Sequence, residues 1–175
     1  PADQPKRLEE VQEGLARRVI TGVTPQENDG GFLAMRADLI RQRPDVVKAW
    51  LNAELDAQLF LADPKNSQEI IRMAKQQTTG FSDKVLWYSL YGAYGPEQDG
   101  TKVRNSLQFT ITPSARELLD RATAFLFSIK SINTAKLRPE AVMPEFADAV
   151  LKERNVKAPI GQVTALPDSE FKPVN

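Results

Sequence analysis

Between residues 44 and 62, apolar side chains return at every fourth position as Val47, Leu51, Leu55 and Leu59, flanked by Val46, Trp50 and Phe60. Asp45, Lys48, Asn52 and Asp56 fall between them. This spacing keeps one stripe of a 3.6-residue turn apolar and predicts an amphipathic helix from Pro44 to about Ala62. A broader stripe of Leu118, Leu119, Ala122, Phe125, Leu126 and Ile129 lies opposite Arg116, Glu117, Asp120 and Arg121 and predicts a helix from Pro113 to about Ser131. Ile70, Ile71 and Ala74 mark a helix after Pro64 that Gly80 closes, and Ser82 opens another through Val85 and Leu86 to about Tyr91. A last helix runs from Pro144 through Phe146, Val150 and Leu151 to Arg154, with Asn155 as its left-handed cap.

Proline and its neighbours supply the punctuation. Asp63-Pro64 and Thr112-Pro113 set a side-chain acceptor at the N-cap with proline next, where its missing N–H is not needed. Near the start, a short helix from Arg7 to Glu13 ends at Gly14. Arg18-Val19-Ile20-Thr21 and Gly31-Phe32-Leu33-Ala34-Met35 are β-prone and separated by Gly22, Pro25, Asn28, Asp29 and Gly30, which predicts two short strands around a functional loop. Residues 92–112 read as a long irregular connection, and Pro159, Pro167 and Pro173 predict an extended tail, packed on the surface or frayed.

Composition narrows the function. A chain of 175 residues can bury roughly 70% of its unfolded surface in one core, so a single domain is the default. Lys plus Arg (23) equals Asp plus Glu (23), without a basic block, which argues against nucleic acid as a partner. No apolar run approaches the ~20 residues that cross a bilayer, so the chain is not expected to span a membrane. Cysteine and histidine are both absent, which removes thiolate metal sites, the commonest general base and the usual partner of a serine nucleophile. A non-enzyme is expected. An enzyme would have to work with Asp, Glu, Lys or Tyr alone. Gly92, Gly95 and Gly100 do not form a phosphate-cradling motif, and no cofactor is expected. The chain opens at Pro1 without a charged-then-apolar leader, so a processed or excised piece of a longer polypeptide is expected.

Arg18-Val19-Ile20-Thr21-Gly22, the polar loop Asn28-Asp29-Gly30-Gly31, then Phe32-Leu33-Ala34-Met35-Arg36-Ala37-Asp38 and Arg43-Pro44-Asp45-Val46-Val47-Lys48-Ala49-Trp50 follow one another in an order that resembles a known crossover. It is the return crossover of periplasmic solute-binding proteins of the nitrate/sulfonate/taurine type. The helix pair broken at Ala62-Asp63-Pro64 fits the same pattern, and the resemblance covers residues 7–155. It implies a mainly α chain with one short antiparallel β pair, the C-terminal segment of a two-lobe, α/β type II periplasmic-binding-protein fold. Residues 1–36 would be the crossover and hinge, 37–155 the helical part of one lobe and 156–175 an extended tail. It further implies a periplasmic location, a small-molecule solute bound together with a missing N-terminal lobe, and an ABC permease as partner. The family binds its ligand in the cleft between lobes that close by a hinge.

Asn28, Asp29, Gly30 and Gly31 are the candidate ligand contacts. Paired glycines let backbone N–H groups approach a solute, and Asn28 and Asp29 add short polar side chains. An ordinary turn using glycine for left-handed angles accounts for the same residues, and Glu27 and Asp29 would repel an anion. Trp87, Tyr88, Tyr91 and Tyr94 could line a pocket, but helical spacing favours core packing or a subunit contact. Glu9 and Glu10 read as a solvated face. The rival to a transport role is a self-standing helical protein–protein interaction domain, its Pro44 and Pro113 helices packed as a bundle.

Overall fold

The computed structural model describes Glu10, residues 31–95 and residues 100–174. The predicted helix at 7–13 and strand at 18–21 lie outside these residues, Glu10 aside. Local rules set the helix ends. After α1 (Ala37–Gln42) and α2 (Pro44–Ala62), a 3-10 turn at Pro64–Asn66 leads into α3 (Ser67–Gln77). Asp63 caps that turn by accepting from the Lys65 N–H at 3.0 Å. Gly80, at φ +87°, takes the left-handed angle that glycine adopts without strain. Ser82 Oγ then accepts from the Val85 N–H at 3.2 Å to start α4 (Asp83–Leu90). Thr112 Oγ1 does the same for Ala115 at 3.1 Å at the head of α5 (Pro113–Ser128). α6 (Glu145–Glu153) ends where Asn155 adopts φ +52°, the left-handed cap read from the sequence.

Arg36 and Arg43 each fork onto the aspartate two residues on, Asp38 (3.0 and 2.6 Å) and Asp45 (3.0 and 2.8 Å), in the first turns of α1 and α2. Each guanidinium holds its aspartate below the ordinary carboxylate range.

The chain divides into two compact units. In one, whose described residues are 57–95, 100–107 and 161–174, β1 (Val103–Leu107) pairs antiparallel with β2 (Gly161–Thr164). The register runs from Val103↔Thr164 to Leu107↔Gly161, with an irregularity between Val103 and Asn105. Leu166 extends the contact by donating its N–H to the Tyr91 carbonyl at 2.7 Å and accepting from Ala93 at 2.8 Å. Ile71, Val85, Leu86, Trp87, Tyr91, Leu107 and Val163 are the buried apolar residues of this unit. Fully burying a side chain of this size stabilises by roughly 1.5–3 kcal/mol.

In the other unit, residues 31–56 and 108–160, Val47, Leu55, Val150 and Leu151 are buried. Lys48, Asn52 and Asp56 of α2 face the end of α6. Lys48 Nζ reaches Glu153 at 2.7 Å, and Arg154 donates to Asn52 at 3.1 Å and to Asp56 at 2.6 Å. The polar stripe of α2 is therefore a contact with α6 as well as a solvated face.

The described residues are mainly helical with one antiparallel two-stranded sheet, as the sequence leads one to expect. Its strands are not the expected ones. Residues 31–35 are irregular, with Phe32 and Leu33 exposed. The strands lie instead within the expected irregular connection and the expected tail.

Candidate functional site

Of the predicted ligand loop, Asn28, Asp29 and Gly30 lie outside the described residues. Gly31 is exposed, no heavy atom lies within 4 Å of where its Cβ would stand, and its backbone does not take the left-handed angle. Neither backbone angle nor crowding requires glycine at 31.

The aromatic cluster is a better-defined place. α4 presents Trp87 and Tyr88 on adjacent positions, with ring centroids 5.2 Å apart and edge to face. Tyr94 comes to 5.7 Å from Tyr88. Arg104, on β1, stacks its guanidinium 5.1 Å from the Tyr94 ring and donates Nη2 to the carbonyls of Tyr88 (3.3 Å) and Ser89 (3.2 Å). A cation there satisfies helix-end carbonyls and meets the negative end of the α4 dipole. The Tyr88 hydroxyl donates to the Asp168 carboxylate, and Phe171 meets Trp87 edge-on at 5.8 Å.

Trp87 is 2% exposed, and its indole N–H is buried without a hydrogen-bond partner. Tyr91 is directed elsewhere: its hydroxyl donates to the Leu61 carbonyl at 3.1 Å, and burial pushes the phenol well above its ordinary range. The core-packing reading thus holds for Trp87 and Tyr91, both buried. Sequence reading missed Arg104, Asp168 and Phe171 as members of this cluster. The one usable signal was Phe171, an aromatic residue in a polar, proline-interrupted stretch, where an anchor is the physical reason to keep it.

No family model, curated protein or solved structure matches this chain.

A second feature lies at the C-terminal end of α5. An open depression of about 520 Å³ is lined by Phe127, Ser128, Lys130, Ile132 and Asn133. Lys130, at φ +61°, turns the chain there, with its N–H on the Phe127 carbonyl at 2.9 Å. Alongside it Phe125, Leu126, Phe127 and Ile129 are exposed by 62, 39, 45 and 53%. Of these, Phe125 and Ile129, four positions apart, lie on one side of the helix end. Among the described residues no group of His, Cys, Asp or Glu has the makings of a metal site, and no helix is long and apolar enough to cross a membrane.

Proposed function

We propose that this chain is the C-terminal portion of a periplasmic solute-binding protein of the nitrate/sulfonate/taurine class, delivering a small solute to an ABC permease. Its role is to complete one lobe of a type II binding fold and to supply a hinge segment, with Asn28 to Gly31 on the cleft wall. Capture is reversible and breaks no bond: the lobes close on the solute, and the closed form is what the permease meets.

The observation that best supports this reading is the uncovered apolar face of α5. Phe125 and Ile129, four positions apart at the end of α5, are the kind of residues a lobe buries, yet here they face outward, as expected of a helix shaped to finish a domain begun upstream. The serial order of the motifs from Arg18 to Trp50 supports it independently.

Thermal shifts with nitrate, taurine, alkyl sulfonates and aromatic acids test the proposal, run on this chain and on the product of its whole reading frame. A ligand stabilises only a formed site. The 175-residue chain alone should give no shift, and the longer product should shift with one of these solutes. A frame that opens close to Pro1, with no upstream lobe, would instead favour the self-standing helical interaction domain, for which the α5 face is the natural docking surface.

A further inference from the structure

Residues 168–174 run back along α4 in a regular order. Asp168 accepts from the Tyr88 hydroxyl, Phe171 sits against Trp87, and the Val174 N–H donates to Asp83 Oδ2 at 2.9 Å. The segment therefore descends from the last turns of the helix to its first residue. Lys75 of α3 closes the far end, with Nζ 2.9 Å from Asp83 Oδ1 and 3.4 Å from the Val174 carbonyl.

We propose that residues 168–174 form a strap that lifts from α4 while the helix stays folded, uncovering Trp87, and that the Asp83 carboxylate is its anchor. The two partners differ sharply in how they are held. Val85, Leu86 and Trp87 are core residues, 2–3% exposed, whereas residues 167–170, 172 and 173 are exposed. Pro167 and Pro173 have no N–H to give. The strap's backbone–backbone hydrogen bonds reach neither α4 nor α3: Phe171 to Asp168 (3.1 Å) lies within it, and Glu170 to Pro167 (2.9 Å) joins it to the residue just before it. What ties it to α4 and α3 is a set of side-chain contacts.

A segment with little buried apolar surface and exposed hydrogen bonds belongs to the low-stability end of a fold and opens ahead of its core. The indole N–H of Trp87 adds a reason on the other side of the balance. It has no partner while the strap is seated, and water admitted by the opening supplies one, offsetting part of the lost Phe171 contact. The strap stands whether or not the chain belongs to a solute receptor.

The test uses the full chain with Trp50→Phe, which leaves Trp87 as the sole indole. Acrylamide quenching of Trp87 should rise several-fold with Asp83→Asn and with Phe171→Ala, at unchanged helical circular dichroism. In the unsubstituted chain, hydrogen exchange at the Phe171 and Val174 amides should run at least about tenfold faster than at Leu86 and Tyr91. Quenching unaffected by both substitutions, equal protection of strap and α4 amides, or loss of the helical signal in both variants would each overturn the proposal.

Discussion

The Tyr91 hydroxyl donates to the backbone carbonyl of Leu61, a contact that ties the end of α4 to the end of α2 across thirty positions of sequence. Tyr91 is 1% exposed, so Tyr91→Phe leaves a carbonyl without its donor and should lower stability by about 1 kcal/mol in urea titrations at neutral pH. The pH dependence has a definite sign. Burial raises the folded phenol's pKa, so the folded chain keeps a proton that the unfolded chain loses near pH ~10. The contribution is present below that value and falls away as pH rises through it. Tyr91→Phe should flatten this alkaline slope, and an unchanged slope would count against burial as its cause.

Ser82 and Thr112 each satisfy one N–H at a helix start, those of Val85 and Ala115. Replacing either by alanine should cost about 1 kcal/mol, measured by the urea midpoint, while aspartate at the same position should retain most of the stability.

Gly92 is buried just past α4, where an added Cβ would come within 2.8 Å of the Tyr88 Cα and overlap its ring. Gly92→Ala should therefore destabilise by about 1–3 kcal/mol, since backbone must shift to admit it. Gly31→Ala, facing open space, should be close to neutral in the same assay.

The α5 face gives a prediction that separates chain from receptor. In the 175-residue chain, Phe125→Ser and Ile129→Ser remove exposed side chains and should change stability by no more than about 0.5 kcal/mol while reducing dye binding to apolar surface. In the product of the whole reading frame the same changes should cost about 2–5 kcal/mol, because a lobe would bury them. Equal effects in both would remove the support for a missing lobe.

What the sequence made legible is what local chemistry dictates. Asp63, Ser82, Thr112 and Asn155 cap where they were read to cap, because an acceptor two or three residues before an orphan N–H, or a residue tolerant of left-handed angles, acts within one turn. Strands β1 and β2 went unread because their pairing is not local. Val103-Arg104-Asn105-Ser106-Leu107 and Gly161-Gln162-Val163-Thr164 hold few β-branched or aromatic residues, and it is the partner across the ladder that extends them. The apolar run Gly31 to Met35 has the reverse history: good propensity, but no ladder partner among the described residues, hence irregular backbone. The stripe of α5 was visible as apolar, yet periodicity says nothing of what a face meets. Of the ligand loop only Gly31 is described, so the sequence argument for Asn28, Asp29 and Gly30 stands on its residues and the family likeness alone.

The pairing of Leu107 with Gly161 has a kinetic corollary. It closes a circuit of roughly fifty residues with only a short ladder in return, so the entropic toll of joining the ends must be met before the reward arrives. The helices inside that circuit can form on their own timescale, and the two-stranded ribbon should be among the last pieces to lock.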